Sequence, residues 1–564
     1  MLIRLPAPSS GFRLCAAKCL VASKLTMKHA FLVSLSALAA GALAQDTFEP
    51  SDFNVTEALV TAGVNVSDIP QLAALTRRSS PGACKIACSS LAIIYGAENV
   101  LSQGSSGYDT FNDAYWSSIQ GEVEPYCVFK PSEASQVAVQ VLISRLTQCP
   151  FAVKGGGHAA FAGGSNIDGG ITVSLENLKQ ISLSSDKKIA AVGPGNRWID
   201  VYQTLDPDEV TVVGGRVSTV GVSGLTLGGG ISYLSSKYGW ACDNVDSYQL
   251  VTASGIILDV SQKSYPDLYW ALRGGGNNFG IVTKFNFNAY PQGKMWGGAR
   301  LFSNESFPAT LDAIYNFATK GSPADHDAAA IISFGYASGF GPLASMQLEY
   351  AQPIADAKVH EEFNALTPVQ STTDIHTHAE LALMLNEGIA YGVRNTYWDV
   401  SFKVDRALFT FLIDTFYELL PNIIDAAGLL PTISIQAITE GQLKGFQKNG
   451  GNALGLDPAG GPYFVMNMGA NWDNVADDAR ILKFHADVID AVKAEAKKTG
   501  VDNDFIYMNY ASQFQDPVAS YGAANHQKLK SVSRKYDPQQ VFQDLQPGYF
   551  KLDKGAPNPK WPSS

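Results

Sequence analysis

The sequence predicts an α+β protein of two domains, and three observations carry that prediction. Helix and strand signals alternate from about residue 130. Glycine clusters separated by β-branched runs fill 155–280, and longer helical segments with aromatic strands follow Pro291. The composition agrees: 46% apolar and 16% charged residues over 564 positions exclude a disordered, collagenous or coiled-coil chain and allow a large core.

Residues 1–44 read as a targeting segment. Lys28 precedes the apolar run AFLVSLSALAAGALA, which ends in small residues before Gln45, so cleavage after Ala44 is expected, with Met27 as an alternative start. That run is shorter than the roughly 20 residues a membrane helix needs, and no later stretch comes closer. The mature chain is expected outside the cell, without a membrane partner. Its formal charge is −11, and the five basic and no acidic residues of 1–44 leave −16 for the remainder, which disfavours nucleic acid as a partner. An oxidising compartment turns neighbouring cysteines into disulfides. Cys84, Cys88, Cys127 and Cys149 allow three pairings, while Cys242 stands apart and reads as a buried free thiol. Asn54, Asn65 and Asn304 open Asn-x-Ser/Thr triplets and are candidate glycan acceptors.

Beyond an N-terminal segment at 45–105, Ser132 is placed to cap a helix with Val139, Leu142 and Leu146 on one face, and the strands FAVK and ITVSL follow. The glycine clusters that come next, at 155, 163, 169, 214, 228 and 274, are interrupted by ITV and VTVV, so the backbone is folded tightly there rather than left loose. DNVDSYQLVTASGIILDV reads as a hairpin, and DLYWALRGGGNNFGIVTKFNF as a short helix, a glycine turn and a strand. In 296–500, taken as the second domain, DRALFTFLIDTFYELL runs to Pro421. DDARILKFHADVIDAVKAEAKK carries acids in its first turn, lysines in its last and Gly500 beyond, and YFVMNMGANW reads as a strand of a second sheet. The tail 501–554 is expected to pack back on the first domain, at 106–295.

KGGGHA at 154–159 follows a predicted buried strand. Three successive glycines make a concavity suited to a phosphate or pyrophosphate, with His158 beside the anion. The segment 214–239 is rich enough in glycine and small side chains to lie against a large flat ligand. These blocks, with the hairpin and the helix-turn-strand, resemble the flavoproteins of the vanillyl-alcohol oxidase and p-cresol methylhydroxylase superfamily. The branch they are most similar to is the berberine-bridge-enzyme-like oxidases of the secreted fungal type. The resemblance covers about 106–292 and 503–550.

That resemblance implies a p-cresol-methylhydroxylase-type FAD-binding domain and a substrate domain of antiparallel sheet covered by helices. It places the FAD pyrophosphate on Gly155, Gly156, Gly157 and His158, with covalent flavin attachment through His158. Further FAD contacts fall on Val217, Thr219, Val220, Gly221, Gly224, Gly229, Gly230, Asn244, Val245, Gly280, Val282 and Asn509. Val217 stands where members with a second flavin link carry cysteine, which implies a single link. Val220 matches the valine associated with access of molecular oxygen. The family's disulfide near the flavin histidine implies Cys88 with Cys149, leaving Cys84 with Cys127.

The tail segment YMNY at 507–510 matches the family's Tyr-x-Asn-Tyr at the flavin edge. Tyr507 is the first candidate for the base and Tyr510 the second, with Tyr507 and Asn509 expected on one face of a strand. Gln436, Tyr463 and Asn467 of the second domain are candidate substrate contacts. His376 and His378 have no third ligand at a recognisable spacing, so no metal is expected and both read as surface residues. The implied activity is FAD-dependent oxidation of an alcohol, a sugar hemiacetal or secondary-metabolite hydroxyl, with oxygen reduced to hydrogen peroxide. A dehydrogenase or oxidative cyclase using another acceptor, and a non-catalytic flavin-fold glycoprotein acting as a scaffold, are the alternatives.

Overall fold

Three sheets organise the chain in the computed structural model, which describes residues 47–73 and 82–560. The expected targeting segment, 1–44, lies outside the described residues. The first sheet has four strands in the order Val100–Ser102, Cys127–Phe129, Ile171–Ser174 and Phe151–Lys154, the last three mutually parallel. Buried on both faces, these strands read as continuous apolar runs, as parallel sheets require. The helices Ala83–Tyr95 and Ala134–Thr147 share their core.

The second sheet, six-stranded and antiparallel, is built around Ile281–Pro291. It contains the expected hairpin, Val245–Val251 with Ile257–Ser261. The expected helix-turn-strand is there too, with Pro266–Leu272 leading through the glycine turn into Ile281–Pro291.

The third sheet has nine strands, among them Gly341–Tyr350, Ala328–Ala337, Leu430–Ile438, Tyr463–Trp472 and Arg394–Lys403 as antiparallel neighbours in that order. The two-residue period of a strand divides its side chains between two faces. Ile332, Ile433, Ile435, Met466 and Met468 enter a core with the helices Phe307–Asn316, Arg406–Leu419 and Asp478–Thr499. Ser333, Ser434, Gln436 and Asn467 occupy the other face and line a cavity. One face of the sheet is therefore apolar and covered by helices, and the opposite face presents polar side chains to the cavity.

Three expectations are corrected. The disulfides join Cys84 to Cys149 and Cys88 to Cys127, with Cα separations of 4.8 and 6.2 Å, rather than Cys88 to Cys149. Cys84 and Cys88 are one turn apart on the helix Ala83–Tyr95. On the sheet side, Cys127 and Phe151 both flank Ile171, and Cys149 lies just before Phe151. The first turn of the helix faces Cys149 and its second faces Cys127, so the direction in which the helix lies on the sheet decides the pairing. Ser132 does not cap its helix. The N-cap is Glu133, and the Ser132 backbone N–H donates instead to Gln136 Oε1 at 2.8 Å. Finally, residues 507–510 are no strand, because Met508–Tyr510 forms a 3₁₀ turn. The turn still brings Asn509 back onto Tyr507.

Cys242 is buried and free, as expected. Asn54, Asn65 and Asn304 are all exposed. The Oδ1 atoms of Asn54 and Asn65 cap helical turns, which leaves their side-chain nitrogens pointing away from those bonds. Among the described residues no helix is long and apolar enough to cross a membrane.

Candidate active site

A cavity of about 670 Å³, in the range of small-molecule sites, lies between the glycine segments and the polar face of the nine-stranded sheet. Its glycine wall exists because two backbones meet there. A Cβ on Gly156 would strike the backbone of Gly221, a Cβ on Gly221 would strike Gly156, and a Cβ on Gly155 would strike Ser223 Oγ. Gly157, at φ +72°, holds a left-handed turn that presents the next residue to the cavity.

That residue is His158. Its half-buried ring lies flat against Trp116, with centroids 4.2 Å apart and planes 10° apart, and Trp116 in turn stacks on Tyr397. Nε2 is buried and has no hydrogen-bond partner among the described residues. Burial lowers the imidazole pKa to about 3, so it is neutral and keeps a ring lone pair. A buried polar atom without a protein partner calls for an explanation, and one on a cavity wall can take a partner from a ligand. Here it lies on a cradle whose glycines admit backbone where side chains would block it, and these residues fit the flavin group that the resemblance implies.

The tail closes the cavity. Tyr507 Oη accepts hydrogen bonds from Gly230 N–H at 2.9 Å and from Asn509 Nδ2 at 2.8 Å, and Asn509 also donates to Leu225 O. Burial pushes the Tyr507 phenol well above its ordinary range. Tyr510 Oη accepts from Arg216 and from Gln436 Nε2, each at 2.9 Å, and Arg216 also donates to Gln436 Oε1 at 2.8 Å. Arg216, Gln436 and Tyr510 thus form a closed ring of hydrogen bonds. Three separate chain segments meet in it.

Of the other expected contacts, Val217, Val220, Gly221, Gly224, Gly280, Val282 and Asn467 line the cavity. Thr219 lies behind its wall, bonded to Asn386. Gly229 (φ +123°) and Gly230 pack against Trp240 and Leu225, and Gly230 serves the site through its bond to Tyr507. Asn244 bonds backbone carbonyls at Tyr238 and Trp240 and accepts from Tyr290, so its amide is used in holding the loop. Val245 is core. Tyr463 points away from the cavity, its hydroxyl donating to Asp457 O at 3.0 Å, because its register puts it past the end of the polar stripe. His378 is no surface residue. It is buried against Tyr202, ring to ring at 3.8 Å, and shares a hydrogen bond with Thr211. Among the described residues no cluster of three metal-ligating side chains occurs.

Sequence reasoning missed three groups. Arg216 was legible only as a lone cation inside GGRVSTVG. Asp399, fully buried, accepts the Tyr507 backbone N–H at 2.8 Å and so holds the tail segment in place, and burial raises its pKa. Glu349 is buried with neither carboxylate oxygen partnered among the described residues, and burial raises it to about 8. A carboxyl raised on folding stabilises the fold below its unfolded pKa and loses that contribution as pH rises through the folded one. Glu349→Gln should therefore flatten the decline in thermal stability between about pH 5 and pH 8, a slope of up to about 1.4 kcal/mol per pH unit for one proton. Melting temperatures across that window check this, and an unchanged slope assigns the decline to other groups.

The family described as FAD binding domain matches residues 125–261. An FAD-dependent monooxygenase of Fusarium proliferatum is 38% identical over 451 residues, covering 78% of this chain and 87% of the relative. Among solved structures, 6-hydroxy-D-nicotine oxidase from Arthrobacter nicotinovorans superimposes with a TM-score of 0.67 at 22% identity, covering 80% of this chain and 97% of that one. Berberine bridge enzyme from Eschscholzia californica gives a TM-score of 0.67 at 19% identity, covering 81% and 97%.

Proposed function

The chain belongs to the berberine-bridge-like FAD-linked oxidoreductases, and from that premise we propose that it is an extracellular oxidase of a hydroxyl group on a small secondary metabolite or sugar. It is a flavoprotein enzyme, and Gly155, Gly156, Gly157 and the 217–224 segment would hold the FAD, with His158 as the point of covalent attachment. The observation that carries the reading is a neutral, unpartnered imidazole and a cation-bound phenol on the walls of one cavity. When bound there, FAD would supply the acceptor for a hydride from the carbon bearing the hydroxyl, and with oxygen as the final acceptor the products would be a carbonyl compound and hydrogen peroxide.

The chain's own part is to remove the hydroxyl proton and to place the substrate. A phenol can act as base where its anion is stabilised. Tyr510 has the better support, because a guanidinium and an amide both donate to its oxygen at the cavity wall. Tyr507 receives only neutral donors and is more deeply buried, which supports a positioning role. Gln436 ties Arg216 to Tyr510, and Asn467 offers an unpartnered Oδ1 to a substrate hydroxyl. Val220 lines the cavity beside Gly221, where a larger side chain would narrow the path of oxygen. Val220→Leu should slow reoxidation by oxygen by tenfold or more while changing reduction less, and stopped-flow measurement of both half-reactions separates the two. Equal effects remove Val220 as a gate.

Two disulfides and three exposed glycan acceptor sites support secretion. The direct test is a panel of alcohols, phenolic metabolites and sugars read simultaneously by loss of flavin absorbance and by peroxide release. Bleaching with peroxide supports the oxidase; bleaching without peroxide replaces it with a dehydrogenase.

A further inference from the structure

We propose that the substrate carries an acidic oxygen, as an enol, phenol or carboxylate, and that Arg216 binds it as the oxyanion. The proposal rests on the cavity being the active site and adds the chemical class of what enters it.

The argument is one of charge. A guanidinium stays charged throughout the working range. Among the described residues lining the cavity, Arg216 is the only side chain with a formal charge at neutral pH, since His158 is held neutral by burial. Arg216 is half-buried, and its partners are an amide oxygen and a phenol oxygen, Gln436 Oε1 and Tyr510 Oη, neither of them a carboxylate. Those two bonds use two of a guanidinium's five N–H donors. No carboxylate among the described residues lies within ion-pair distance of it, which is unusual in a chain whose net charge is −11.

The acid that feels the Arg216 charge is Glu349, on the same face of its strand as the cavity-lining Gln347. Burial keeps that carboxyl protonated near neutrality, and neither of its oxygens is bonded to the guanidinium. A cation partly removed from water without a counter-ion is costly, and that cost is met when a ligand brings the anion. The rest of the sheet face, Ser333, Ser434, Gln436 and Asn467, is neutral and polar. It suits carbonyls and hydroxyls, and it offers no carboxylate to a protonated amine. Arg216 would repel such an amine.

The test uses the holoenzyme at pH 7, with benzoate, benzamide and benzylamine as probes of one size and three charges, each titrated against the flavin absorbance spectrum. FAD content is measured first: protein without FAD removes the function proposed above, whereas loaded protein without an anion preference removes only this inference. Benzoate is expected to bind at least tenfold more tightly than benzamide, and benzylamine more weakly than both. Arg216→Gln should erase the difference and Arg216→Lys should keep most of it, with melting temperatures confirming that both variants fold. Equal affinities in the unmodified protein, or a preference that survives Arg216→Gln, overturns the proposal. A shifted flavin potential in Arg216→Gln with the preference intact assigns the charge to the cofactor instead, and overturns it as well.

Discussion

With alanine in place of His158, acid-precipitated protein should lose all of its yellow colour to the supernatant, whereas the unmodified protein should keep its colour in the pellet. The expectation follows from three properties of the side chain. Its Nε2 has no partner among the described residues, its burial keeps it neutral and therefore nucleophilic, and the face-to-face contact with Trp116 at 4.2 Å holds the ring in one orientation. The glycine wall survives the substitution, so FAD should still bind, but exchangeably. Mass spectrometry of the intact chain gives the same answer independently, as the gain or absence of one flavin mass. Covalent FAD persisting in His158→Ala would move the attachment to another residue.

Tyr510→Phe should slow flavin reduction by about 10² or more, the contribution of a positioned base. The substitution keeps the ring and its edge contact with Tyr507, at 4.8 Å between centroids, and removes only the oxygen that Arg216 and Gln436 donate to. Binding of an oxyanion should survive it, because Arg216 remains. Tyr507→Phe should cost less, and through a different route. It leaves Gly230 N–H and one Asn509 N–H without their acceptor in a buried place, which loosens the wall rather than removing a proton acceptor. Rapid-mixing rates for both variants, set beside their melting temperatures, separate these roles. A larger rate loss in Tyr507→Phe with unchanged stability returns the base to Tyr507.

The glycine blocks were legible because a run of glycines shows in the residues themselves, and their spacing in the chain carried the resemblance that the FAD family match and the 38% identical relative bear out. Which backbones those glycines let meet, Gly156 with Gly221 across 65 residues, is set by packing. One strand of the nine-stranded sheet, Tyr463–Trp472, was legible from its own run of apolar and aromatic residues.

Relations between segments distant in the chain were not legible. Cys84 pairs with Cys149 and Cys88 with Cys127 because their helix lies on the sheet in one direction rather than the other, and nothing in the residues of either element records that direction. Tyr463 and Gln436 looked alike as sheet candidates; their strand register sends one to Asp457 and the other to Tyr510. By itself, then, the sequence determined the fold class and the glycine-rich blocks that carry the family resemblance, because residue type and side-chain period are properties of each short segment. Only the tertiary structure decided that Arg216, Gln436 and Tyr510 meet in one ring, since their separations of 220, 74 and 294 residues leave contact to packing alone.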